Sequence, residues 1–175
     1  NSAEEKGKAV VLLNFPNNPS GYTPTVAEGD AIVAAIREVA ESGCNIVAVT
    51  DDAYFGLFYE DTLKESLFGK LANLHPRILA VKLDGATKEE FVWGFRVGFL
   101  TYAAGGSGDL DAVHTALEKK TAGAIRAGIS NSPHLSQSIV LRALECPEFH
   151  EEQASKRALL KARALKVREV VGKPE

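Results

Sequence analysis

Three short apolar runs, each ending in polar side chains, limit what this chain can fold into more than any other feature. Val10 to Asn14 reads VVLLN, Asn45 to Thr50 reads NIVAVT, and Arg77 to Leu83 reads RILAVKL. Continuous runs of this length, rich in Val, Ile and Leu, suit strands buried on both faces of a parallel sheet, because half-exposed strands alternate apolar with polar residues. A helix is predicted between the first two. Thr25 and Glu28 have capping-box spacing after Pro24, Ile32, Val33, Ile36, Val39 and Ala40 make an apolar stripe, and Gly43 can end it. A fourth run, FRVGFLTY from Phe95 to Tyr102, follows the third too soon for a parallel crossover, so it is predicted to be antiparallel.

The segment 61–75 reads as part helix, part loop. After Gly105 and Gly106 the pattern turns helical, with Ser107 or Asp109 as cap and Leu110, Val113 and Leu117 on one stripe. A second helix carries Leu135, Ile139 and Leu144, and Pro147 ends it. A charged helix then runs from Glu148 to Val171, its polar side a solvated face. The order β-α-β-(α)-β-β followed by helices is that of an α/β sheet flanked by helices.

At 175 residues the chain is long enough for one domain with a sizeable core, and 45% hydrophobic with 25% charged residues is ordinary globular composition. A net charge of -3 gives no footprint for nucleic acid or an anionic membrane, and no apolar run approaches a membrane span. Cys44 and Cys146 lie far apart and read as reduced thiols, and His75, His114, His134 and His150 show no metal-ligand spacing. These points describe a cytoplasmic protein without metal. The sequence holds no methionine, so it reads as an interior piece of a longer chain.

Ligands of such sheets gather at the carboxyl ends of the strands. There the chain places Asn17 and Asn18, then Asp51, Asp52 and Tyr54, then Lys88, with Arg96 eight residues on between Gly94 and Gly98. A partly desolvated lysine attacks carbonyls as an amine and forms a Schiff base. An aspartate facing a pyridine nitrogen keeps it protonated and makes the ring an electron sink. A phenol and an amide hydrogen-bond a ring oxygen, and an arginine grips a phosphate with two parallel bonds. In chain order, these are the parts of a pyridoxal-phosphate site.

Four motifs carry a resemblance to the class I/II aminotransferases, the aspartate aminotransferase superfamily with the type I pyridoxal-phosphate fold. NNPSG resembles the family's Asn-Pro-Thr/Ser-Gly and DDAYFG its Asp-x-Ala-Tyr. Lys88 matches the Schiff-base lysine and GFRVG the phosphate-binding arginine motif. The resemblance implies that Asn18 and Tyr54 bond the cofactor's phenolic oxygen, Asp51 its ring nitrogen, Lys88 its aldehyde and Arg96 its phosphate. It leaves Asp52 as the motif's variable position. A weaker match, IRAGISNSPHLSQ, implies that Arg126 reaches substrate across a dimer interface. The family's serine three residues before the lysine is Gly85 here, and the tyrosine of its Tyr-Ser-Asn-Pro segment is Ile129.

The resemblance runs from Val10 to about Leu144. It implies a partial three-layer α/β/α large domain over 1–145, with three parallel strands and a last antiparallel one. A helical segment over 146–175 would lead toward a small domain. The implied activity is transfer of an amino group between an amino acid and a 2-oxo acid, in a homodimer, with no nucleic-acid or membrane partner. A lyase or decarboxylase of the same superfamily uses the same residues. A truncated domain that self-associates without cofactor is the other alternative, because missing neighbours would leave a sheet edge and apolar faces uncovered.

Overall fold

The computed structural model describes residues 7–172. Four strands form one sheet in the order β1-β2-β3-β4: β1 (Lys8–Asn14), β2 (Asn45–Asp51), β3 (Ile78–Gly85) and β4 (Gly98–Ala104). β1, β2 and β3 are parallel and β4 is antiparallel to β3. The register sets Asn14 opposite Asp51 and Asp51 opposite Leu83, so the carboxyl ends of the parallel strands finish level with one another.

Helix α1 (Val26–Glu41) begins as its capping box requires. The Glu28 amide donates to Thr25 Oγ1 at 3.3 Å, and the Thr25 amide donates to Glu28 Oε2 at 2.8 Å. The same backbone bond holds the Glu28 carboxyl below its ordinary pKa. Replacing Thr25 by alanine removes this cap, and the unfolding free energy is expected to drop by about 1 kcal/mol in a denaturant titration. Gly43, at φ +105°, turns the chain out of α1 and into β2 through a backbone region that side chains disfavour.

α1 and the short α2 (Leu67–Leu71) cover one face of the sheet. Val33, Ile36 and Ala40 of α1 pack with Leu67 and Leu71 of α2 on Ile46, Ala48, Ile78 and Ala80. The 61–75 segment thus holds one short helix in otherwise irregular chain. Asp109 Oδ1 accepts from the Ala112 amide at 3.0 Å and caps α4 (Leu110–Gly128), which lies against β4, with Tyr102 Oη 2.7 Å from Thr121 Oγ1. α5 (His134–Leu144) and α6 (Phe149–Val171) follow, and Val140 of α5 packs on Ala86 and Val97.

Two expectations need correction. β4 starts at Gly98, not Phe95, because Val92 to Phe95 form a turn and Arg96 and Val97 leave it in irregular backbone. The Phe95 amide donates to Val92 O, and Arg96 sits at φ +56°. β1 is not buried on both faces. Ala9, Val11 and Leu13 face the α1–α2 core, while Val10 and Leu12 are 75% and 64% exposed. On the second face α4 packs along β4, and Val113 and Leu117 line a groove with Val47, Leu79 and Ala104. The strand pattern reports the burial the run is built for, and these residues leave half of it uncovered.

Candidate active site

Asn14, the last residue of β1, organises the first corner of the site. Its Nδ2 donates to the Asp51 carbonyl at 3.2 Å, and its Oδ1 accepts from the Asn18 amide at 3.0 Å and from Asn17 Nδ2 at 3.2 Å. One side chain therefore joins the end of β2 to the Asn-Pro loop. Both X-Pro bonds of that loop, Phe15–Pro16 and Asn18–Pro19, are cis. Asn18 Nδ2 then donates to Tyr54 Oη at 3.1 Å. Sequence reasoning passed over Asn14, though a polar residue closing the run VVLLN was the available signal.

Asp51 ends β2 and Asp52 is the first residue past it, and the two side chains diverge as successive residues of extended backbone do. Asp51 is half-buried. Its Oδ1 accepts from the Ala53 amide at 3.2 Å, and its other oxygen takes no hydrogen bond among the described residues. Asp52 is 4% exposed and lies toward Lys82 and the α2 side. The buried carboxylate is thus structural in its surroundings, and the half-buried one has an open valence.

β3 runs into a single helical turn, α3 (Ala86–Glu89), that carries Lys88. Lys88 Nζ lies 5.3 Å from the centre of the Tyr54 ring and has no hydrogen bond or ion pair among the described residues. The Ala86 amide donates to the Val97 carbonyl at 3.1 Å, and Gly85 pairs with Gly98. The lysine turn is therefore tied directly to the segment of Arg96 and Val97. Arg96 itself is exposed, with its carbonyl accepting from Ser132 Oγ at 3.3 Å. A non-glycine residue at φ +56° is held in a costly conformation, a feature concentrated at ligand-binding positions. The backbone at Gly85 is open: a Cβ there would meet nothing within 4 Å.

Asn18, Tyr54 and Lys88 thus meet, with Asp51 joined to them through Asn14 and Arg96 through the paired backbones. Arg126 does not join them. It is exposed near the end of α4, and its Nη1 donates to Ser130 Oγ at 2.7 Å. Asn18 and Tyr54 also line a cleft of about 480 Å³ closed on its far side by Ala164, Val167 and Arg168 of α6. Among the described residues no group of three or more His, Cys, Asp or Glu is placed to hold a metal, and no helix is long and apolar enough to cross a membrane.

Over residues 1–172 the chain matches the family model for aminotransferases of class I and II. It belongs to that family. It is 27% identical over 168 residues to the cytoplasmic aspartate aminotransferase of Saccharomyces cerevisiae, covering 93% of this chain and 38% of that protein. The structure of an aminotransferase from Anaerococcus prevotii superposes with a TM-score of 0.75 at 27% identity, over 89% of this chain and 38% of that one. The aromatic-amino-acid aminotransferase of Burkholderia pseudomallei, solved covalently bound to pyridoxal phosphate, shares the fold at a TM-score of 0.66 and 21% identity, over 95% of this chain and 43% of that one. The chain thus spans about two fifths of the length of these proteins. Aminotransferases of this family use pyridoxal phosphate.

The donor set suits that cofactor. Asp51 has an open oxygen, Asn18 and Tyr54 are bonded to each other, and among the described residues the Lys88 ammonium and the Arg96 guanidinium have no ion pair; these are donors and acceptors of the kinds the cofactor's polar groups need. Behind the site, burial pushes the Asp52, Glu89 and Glu90 carboxyls above their ordinary pKa, opposed in part by Ser66 and Lys82 at Asp52 and by Arg157 at the two glutamates. A raised carboxyl binds its proton more readily in the folded chain. Its contribution to stability is full below the unfolded pKa of about 4 and is lost as pH rises through the folded value. Asp52→Asn is therefore expected to gain stability relative to the unmutated chain as pH rises from 4 to 7. Unfolding titrations across that range check this, and a pH-independent difference between the two chains would refute it.

Proposed function

We propose that the full-length protein is a pyridoxal-phosphate-dependent aminotransferase that moves an amino group between an amino acid and a 2-oxo acid. The observation that carries this reading is the meeting of three side chains from three strand ends: Asn18 bonded to Tyr54, and Lys88 Nζ over the Tyr54 ring. Bound there, the cofactor supplies an electron sink for the pair left at the substrate's Cα. Lys88 Nζ would hold its aldehyde carbon and would serve as the base that moves the proton at the substrate's Cα. Asp51 keeps the ring nitrogen protonated through its open oxygen. Tyr54 and Asn18 donate to the phenolic oxygen, and Arg96 anchors the phosphate.

Family membership and the fold support this reading, as do the open valences of the donor set. The same reading makes residues 1–145 part of the cofactor-binding domain and 146–175 the helical approach to a second domain. It makes the assembly a cytoplasmic homodimer, in which Arg126 would serve the site of the partner. The test adds pyridoxal phosphate to the full-length protein, records the visible spectrum, reduces with borohydride and maps the modified peptide. A panel of amino-acid donors is then assayed against 2-oxoglutarate, with lyase products monitored alongside. A reduced adduct on Lys88 and donor-dependent transfer are expected. Absence of the adduct, or cleavage products without transfer, overturns the reading.

A further inference from the structure

Lys82 interrupts the apolar residues of β3, and the structure gives it two carboxylates, one of them from Asp84 of the same strand. Its Nζ lies 2.6 Å from Asp84 Oδ1 and 3.7 Å from Asp52 Oδ2, and 5.6 Å from the centre of the Phe55 ring. The side chains of Lys82, Asp52 and Asp84 are 23%, 5% and 15% exposed, so solvent screens them little. An ion pair on the surface would carry little, but here loss of the lysine strands two acids in the interior.

The positions of the partners matter more than their number. Asp52 follows Asp51, Phe55 follows Tyr54, and Asp84 precedes the turn that carries Lys88. On the backbone, the Asp52 amide donates to the Leu83 carbonyl at 2.9 Å. The β2–β3 ladder holds the two strands together as far as Asp51 and Leu83. Past its end the cofactor-facing segments are joined by this main-chain bond and, on the α1–α2 side of the sheet, by the Lys82 ammonium. We infer that Lys82 is a positioning residue for the cofactor site, tying Asp52 to Asp84 so that the loop of Asp51 and Tyr54 keeps its distance from the turn of Lys88. This rests on the reading of the site as one for pyridoxal phosphate. It assigns to the position a task that apolar residues of equal volume cannot perform.

The experiment must separate positioning from plain charge compensation. Full-length protein is prepared unmutated, as Lys82→Met, as Lys82→Arg, and as the triple variant Lys82→Met, Asp52→Asn, Asp84→Asn, which removes the stranded charges. Thermal midpoints and pyridoxal-phosphate dissociation constants are measured for each. Small displacements of a positioned group carry large penalties, so Lys82→Met is expected to weaken cofactor binding by about tenfold or more. The triple variant is expected to recover the thermal midpoint and keep the binding loss, and Lys82→Arg to bind within about threefold of the unmutated protein. A triple variant that recovers stability and affinity together, or a Lys82→Met protein that binds normally, overturns the inference. Should the methionine variants fail to fold, Asp84→Ala removes the oxygen of the 2.6 Å contact alone, and normal binding by that variant overturns it equally. No binding by the unmutated protein overturns the reading of the site, and this inference with it. Equal binding by unmutated and variant proteins overturns this inference alone.

Discussion

Lys88→Ala in the full-length protein is expected to abolish amino transfer, with kcat lower by at least about 10⁴-fold, and to leave no borohydride-reducible adduct. The size of the effect follows from the geometry. Lys88 Nζ has no ion pair or hydrogen bond among the described residues and lies 5.3 Å from the centre of the Tyr54 ring. It therefore contributes little to holding the fold. Alanine suits a helical turn, and the neighbouring Ala86, 1% exposed, keeps the turn anchored in the core with Val97 and Val140. The thermal midpoint of the apoprotein should move by no more than a few degrees, as about 0.5 kcal/mol would produce. Loss of activity with an unmoved midpoint places the lysine in the chemistry. Retained transfer would remove it, and with it the proposed function.

How much of this was legible beforehand depended on how local the signal was. The capping box at Thr25 and Glu28 is complete within four residues, and it formed as read. The antiparallel β4 followed from the shortness of its connection to β3, which is also a local property. The choice of Asp51 over Asp52 rested on a four-residue pattern, and at the end of β2 the two carboxylates lie in different surroundings. What escaped was the set of contacts that exist only across strands. Asn14 reaches both Asp51 and Asn18, and Lys82 reaches Asp52 and Asp84. Each looked like an interruption of an apolar run, and nothing in a run says what will lie beside it. Arg96 was legible as a residue between glycines, but its left-handed backbone was not, so β4 was begun three residues too early.

The same distinction between local pattern and actual cover yields the second large prediction. Leu71 and Leu12 are both leucines of apolar runs, yet Leu71 is 0% exposed and Leu12 is 64% exposed. Leu71→Ala opens a cavity among α1, α2 and the sheet, and is expected to cost about 2–5 kcal/mol in a denaturant titration of this chain. Against the roughly 5–15 kcal/mol of a whole domain, that is enough to populate the unfolded state on mild warming. Leu12→Ala removes methyl groups that already face solvent, so a change within about 0.5 kcal/mol is expected. Both measurements belong at low protein concentration and again at high. An apolar face left open by Val10 and Leu12 is one that another surface can cover. If Leu12→Ala becomes costly only as concentration rises, association between copies is burying the second face. A large cost at every concentration would instead mean that Leu12 is covered within the single chain, contrary to the arrangement of β1 described above.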